Sequence, residues 1–194
     1  MSDPQTTSES IYKSALRILE AEGPQAVSMR RVATEVGITP MAIYHHFASR
    51  EALLQQVVDT EFERLVDFFG QSLGRGSFET QMTHIMDGYM DYALTHPRIF
   101  DYVFSSPRPR ARRFPDDFRA RCSPTLNVVA DAVTSWIKLK KLKRDDIWEI
   151  AMELWAHVHG YLMLYRAGRF HLSEDEFRKL VQRSLRRLLH GLEA

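Results

Sequence analysis

Apolar residues recur at intervals of three and four along most of the chain, and no pair of alternating runs is joined by a hairpin turn, so the pattern predicts an all-α protein. The first stretch carries Ile11, Ala15, Ile18 and Leu19 on one face. Thr6, with Glu9 three residues on, is placed to cap it, and Gly23-Pro24 stops it. Ser28 opens a short second helix through Val32, Ala33 and Val36, closed by Gly37, a residue suited to the left-handed conformation that ends helices. Thr39 and Pro40 open a brief third helix with Ile43, Tyr44 and Phe47, and Ser49 caps a longer fourth through Leu53, Leu54, Val57, Val58, Phe62, Leu65 and Phe69. Glycines at 70, 74 and 76 end it. A fifth helix is expected from Ser77 to His96, a sixth from Pro97 to about Phe104, and a seventh from about Asp116 or Ser123 to Lys143. Asp146 with Glu149 caps an eighth to about Ala167, and Ser173 with Glu176 a ninth to Leu192. About nine helices result, split into residues 1–50, a small three-helix domain, and residues 51–194, a larger helical one.

Composition narrows the setting. A chain of 194 residues, 44% apolar and 26% charged, can bury a core unaided. Its single cysteine, Cys122, excludes a disulfide-stapled secreted scaffold, and a reducing cytoplasm is the expected compartment. No apolar run approaches the roughly 18 residues that span a bilayer, and no membrane partner is expected. The net charge of +1 argues against coating nucleic acid by bulk electrostatics. Any DNA binding must come from a shaped site.

Residues 28–47, SMRRVATEVGITPMAIYHHF, have the layout of a helix-turn-helix: small or apolar residues where two helices cross, a glycine at the turn, and a second helix whose first turns face outward. Val32, Ala33, Val36, Ile38, Ile43 and Phe47 form the inward set. Thr39, Pro40, Met41, Ala42, His45 and His46 face outward, with Tyr44 at the flank. Arg30 and Arg31 near one end of this element and Arg50 beyond the other bracket it as phosphate contacts bracket a base-reading helix. Ser28 to Arg50 carries three arginines against Glu35, whereas Met1 to Thr60 carries five cations against seven acids, so the basic signal is local. Spacing of this kind also occurs in helical domains that bind no DNA. A helical adaptor or small-molecule binder and an all-α enzyme therefore remain competing classes.

From Ile11 to Leu54 the run IYKSALRILEAEGPQAVSMRRVATEVGITPMAIYHHFASREALL resembles the N-terminal domain of the tetracycline-repressor (TetR) family. The resemblance rests on the glycine after the first helix, the Thr-Pro opening of the third, the tyrosine-histidine stretch ending in Phe47, and the S-R-E-A-L-L start of the fourth. It implies a homodimeric transcriptional regulator, usually a repressor of a palindromic operator released by a small molecule. Carried over by position, Thr39 caps the recognition helix and donates to a phosphate, and Tyr44 and His46 hold the backbone. Arg50 stands where the family usually has lysine and can make two hydrogen bonds to a phosphate. Met41, Ala42 and His45 are the positions nearest base edges, the apolar pair suited to thymine methyls and His45 to a polar reading. His45 replaces a tyrosine common in the family.

The segment LWAHVHGYLMLYRAG, Leu154 to Gly168, resembles the tryptophan-histidine-glycine signature of one subgroup of the family's C-terminal domains, at Trp155, His159 and Gly160. The helix that carries it is apolar on two sides. Ile147, Ile150, Ala151, Leu154, Val158, Tyr161 and Tyr165 follow one stripe; Trp148, Met152, Trp155, His159 and Met163 follow another. The last helix has one stripe from Phe177 to Leu192. Together with their copies the two make a four-helix dimer bundle, with Tyr161, Tyr165, Leu180, Ser184, Leu185 and Leu188 as interface candidates. A largely apolar effector is expected in a pocket between helices. Its candidates are Met82, Met86, Tyr89 and Met90; Phe100 and Phe104; and Trp136, Trp155, His159 and Met163. The same side chains also suit an ordinary core. No cofactor, metal site or catalytic residue is expected: H-E-x-x-H, G-x-S-x-G, a Walker loop and G-x-G-x-x-G are absent, and His157 and His159, two apart on a helix, cannot share a metal.

Overall fold

The computed structural model describes residues 4–71, 73–107 and 111–193, with side chains from residue 7 onward. Thr6, expected to cap the first helix, lies inside it, because that helix already starts at Pro4; Arg108 and Arg110 lie outside the described residues. Ten α-helices and no named strand occur among those described: α1 Pro4–Glu22, α2 Met29–Val36, α3 Pro40–Tyr44, α4 Arg50–Gly70, α5 Phe78–Thr95, α6 Pro97–Phe100, α7 Asp116–Arg119, α8 Pro124–Lys138, α9 Ile147–Arg166 and α10 Glu174–Leu192.

The count exceeds nine because the expected seventh helix is two. Ser123 precedes Pro124, whose ring disfavours the helical conformation in its neighbour, and Arg121 lies at φ 60°, so a chain leaving α7 must turn before α8 starts. The expected end at Lys143 also moves back to Lys138. Lys140 adopts φ 56°, and the Lys140 and Lys141 amides close on the carbonyls of Ile137 and Trp136, at 2.9 and 3.1 Å. The expected sixth helix is α-helical only to Phe100 and continues as a π-helical turn over Asp101–Ser105.

Two compact units are present. The first comprises the chain through Phe62 and the segment that starts at Tyr92 and carries α6. Ile11, Ala15, Ile18 and Leu19 of α1 meet Val32, Ala33, Ile43 and Phe47, and the first turns of α4 close this core with Leu53, Leu54, Val57 and Val58. Ile99 and Val103 join the same cluster. Arg98 fastens α6 to the carboxyl end of α1 by donating to the carbonyls of Glu20 and Ala21, groups left without intrahelical partners.

The second unit runs from Glu63 through Asp91 and over the chain after residue 110. Its core is the packing of α8, α9 and α10 through Leu126, Val129, Val133, Leu154, Val158, Phe177 and Leu185. In α5, Gly88 lets the Phe68 ring sit where a side chain would begin: a Cβ there would lie 2.0 Å from it. Asp146 caps α9 by accepting from the Trp148 and Glu149 amides, and those backbone donors hold its carboxyl below the usual range. Ser173 and Glu176 form a full capping box on α10. Cys122 is exposed in the turn before α8. Arg112 donates to its carbonyl.

Candidate nucleic-acid interface and effector site

The helix-turn-helix is built from caps. Ser28 accepts from the Arg31 amide to start α2, Gly37 ends it in the left-handed region at φ 75°, and Thr39 accepts from the Ala42 amide at 3.2 Å to start α3, with Pro40 as the first helical residue. Val32, Ala33 and Ile43 are fully buried, Phe47 is buried, and Val36 and Ile38 pack against them. Anchoring α3 through Ile43 and Phe47 turns its opposite side outward. Met41 is 70% and Tyr44 51% exposed, side by side on the outward face of α3. Thr39 and His45 are exposed, Ala42 and His46 half-buried.

The flanking arginines divide. Arg30 is exposed and its guanidinium meets no acid among the described residues. Arg31 is held in a fork by Glu22, a pairing that lowers the Glu22 carboxyl and raises the guanidinium. Arg50, expected on a phosphate, turns its Nε to the Val27 carbonyl at 2.7 Å and its Nη2 to that of Pro24. Its half-buried guanidinium satisfies the loop between α1 and α2. Planar, multi-donor arginine can bind two carbonyls at once where lysine offers a point charge.

Sequence reasoning missed Glu61. It is 3% exposed on α4 and accepts from Tyr12 of α1 at 3.0 Å and Tyr92 of α5 at 3.1 Å. The readable signal was an acidic residue on the apolar stripe between Val58 and Leu65.

In the second unit, Trp155 donates its indole N–H to the Tyr89 hydroxyl at 2.9 Å, and that hydroxyl is 2.9 Å from His159 Nδ1. The phenol oxygen thus accepts from the indole while lying within hydrogen-bond distance of the imidazole, which links α5 to α9 through three side chains. Burial pushes the Tyr89 phenol up, so it remains neutral. Met82, Met86 and Met90 are buried on the same helix as Tyr89, Met163 is half-buried, and Trp136 packs against Phe78 with ring centroids 5.9 Å apart. Phe100 and Phe104 do not join them. They belong to the first unit, where Phe104 packs on Phe100 and edge-on to Phe62 and Tyr92. The interface candidates divide as well: Tyr161 donates to Ser184 at 3.1 Å, Tyr165 stacks on Phe177, and Ser184 and Leu185 are buried within the chain. Leu180 and Leu188 are half-buried, while Leu164, absent from the expected set, is 50% exposed on α9.

Residues 11–57 match the family described as bacterial regulatory proteins, tetR family, and residues 82–188, over half of the chain, match the tetracyclin repressor-like C-terminal domain. The chain belongs to the TetR family. The uncharacterised HTH-type transcriptional regulator Rv0681 of Mycobacterium tuberculosis is 26% identical over 161 residues, covering 82% of this chain and 70% of that protein. The regulator UidR of Escherichia coli K12 is 31% identical over 71 residues, 37% of this chain and 36% of its own. Among solved structures, a Rhodococcus sp. RHA1 protein of unknown function has a TM-score of 0.81 at 19% identity, covering 97% of this chain and 96% of its own. FadR of Bacillus subtilis, solved with stearoyl-CoA, has a TM-score of 0.74 at 11% identity, covering 95% of this chain and 98% of its own. As a TetR-family member the chain is a DNA-binding transcriptional regulator.

Proposed function

We propose that this TetR-family protein is a cytoplasmic homodimeric repressor that holds a palindromic operator until a largely apolar small molecule releases it. The observation that carries the reading is the outward face of α3: an exposed methionine, tyrosine and histidine on a short helix seated on Ile43 and Phe47. Met41 and Ala42 meet thymine methyls, His45 reads a polar base edge, and Thr39, Tyr44, His46 and Arg30 take phosphates. Residues 1–50 carry the DNA-binding function and residues 51–194 the effector and dimer functions. A two-fold axis through the α9 and α10 pairs sets two α3 helices about one DNA turn apart, roughly 34–36 Å, or a multiple of it.

The effector is read by the second unit, with Met82, Met86 and Met90 supplying an adaptable apolar wall and the Trp155–Tyr89–His159 chain its polar end. FadR in its stearoyl-CoA complex shares this fold, and a long acyl chain is a ligand such a wall suits. α4 runs from the first unit into the second and is the lever. A ligand that prefers one position of α4 changes the α3 spacing, and a coupling of about 1–3 kcal/mol alters operator affinity about 5- to 150-fold.

Gel-shift with DNA from upstream of its own gene tests the reading. Wild type should bind one fragment in a salt-sensitive manner and Tyr44→Ala should lose it; equal affinity for every fragment would identify an adaptor instead. Small molecules that raise Tm are then tested for release of DNA. A stabilising ligand that leaves the operator bound is rejected as inducer.

A further inference from the structure

The turn between α8 and α9 collects Lys138, Lys140, Lys141, Lys143 and Arg144 within seven residues. None of the five pairs with an acid among the described residues, and all are exposed. The two acids that follow are occupied: Asp146 caps α9 and binds Arg119 at 2.7 Å, and Asp145 accepts the Asp146 amide at 2.8 Å. Glu193, which bridges to Leu142, pairs with His190. Leu139 stands in the middle of these cations at 64% exposure.

The turn is stiff. Lys140 and Lys141 close the end of α8, Leu142 is buried, the Lys143 amide donates to the Leu192 carbonyl at 2.9 Å, and its Nζ reaches the Gly191 carbonyl at 3.0 Å. Helix dipoles account for some positive charge here, since two carboxyl ends meet at this point. They do not account for Lys140 at φ 56°, where the left-handed conformation favours glycine and a lysine is strained. Nor do they account for an uncovered leucine among the charges.

We propose that this turn is a docking surface for the anionic phospholipid face of a bilayer. Four of the five cations are lysines, point charges suited to a mobile field of headgroups rather than to paired hydrogen bonds on one fixed phosphate. A cluster of four to eight such residues is what anionic lipid attracts, and Leu139 supplies the side chain that enters the acyl boundary, which a nucleic-acid duplex would leave unused. The contact is peripheral, and it departs from the expectation of no membrane partner, which rested only on the lack of an apolar run long enough to span a bilayer. Among the described residues no helix is long and apolar enough to cross a membrane, and docking of this kind needs none.

Sedimentation of the full-length protein with vesicles tests the assignment. Phosphatidylglycerol in phosphatidylcholine should carry the protein down and salt should release it; pure phosphatidylcholine should not bind. Each cation removed should lower partitioning about fivefold, so Lys138→Gln, Lys140→Gln and Lys141→Gln combined should lower it about a hundredfold, and Leu139→Ser should lower it severalfold. Tm and operator binding, read in parallel, should remain. Lys140→Gly is the sharper variant: it should raise Tm by about 2 °C while weakening vesicle binding. Full partitioning by the triple variant overturns the proposal, as does failure of wild type to sediment with anionic vesicles. It is also overturned if the triple variant loses affinity for a non-operator duplex while vesicle binding persists, which would make the turn a nucleic-acid surface.

Discussion

Arg30 and Arg50 carry the same charge on the same unit, yet Arg30 is exposed while Arg50 commits its Nε and Nη2 to the Val27 and Pro24 carbonyls and its Nη1 lies 3.5 Å from Glu51. Neutralising each should therefore give different phenotypes. Arg30→Gln should reduce the salt dependence of operator binding by about one phosphate contact per protomer and leave Tm unchanged. Arg50→Gln should leave that slope intact and cost about 1–3 kcal/mol of stability, because two part-buried carbonyls lose a charged donor. Salt titrations of binding and thermal melts separate the pair. The sequence made Arg50 legible as a cation at the right register but not the direction of its guanidinium, which depends on where the chain after α1 places its carbonyls. Glu61 was hidden for a related reason: its partners Tyr12 and Tyr92 lie 49 and 31 residues away, and only the fold brings them together.

At the scale of elements, local chemistry was readable wherever it is complete within a few residues. Gly37, the Thr39 cap and the Ser173–Glu176 box stand where the letters place them. The π-helical turn over Asp101–Ser105 was not, since it is decided by packing beyond the apolar period, whereas the start of α8 at Ser123-Pro124 was one of the two the sequence offered and only the separate short α7 was missed. The α5–α9 contact gives a direct test. Tyr89→Phe leaves the Trp155 indole without its acceptor and should cost about 1–3 kcal/mol, a fall in Tm of about 2–4 °C for each. α9 carries a pH-dependent contribution too. Burial first, and the Arg187 cation second, hold the His157 imidazole below its ordinary value of 6.5. The unfolded chain then binds this proton more readily, so stability is lost as pH falls through the window beneath 6.5. Denaturant melts on either side of that window should show the loss, and His157→Gln should remove it.

For the whole molecule, the all-α class and the helix-turn-helix were legible because both rest on periodicity and on a dense 44-residue pattern. The proposed dimer face was less so: a stripe shows that a surface is apolar, and the fold then shows which of its side chains the chain's own core takes. Ser184 and Leu185 went to the core, and Leu164 stayed exposed. If the proposed dimer closes over α9, Leu164→Glu should yield a folded monomer by analytical ultracentrifugation, with helical circular dichroism retained and operator affinity reduced to that of a single half-site. Cys122, solvent-facing and without a second thiol in the chain, makes such an assembly measurable from within. A nitroxide attached there reports nothing but background from a lone polypeptide and one interspin distance from a symmetric pair, and the shift of that distance when a candidate inducer is added would gauge the allosteric stroke.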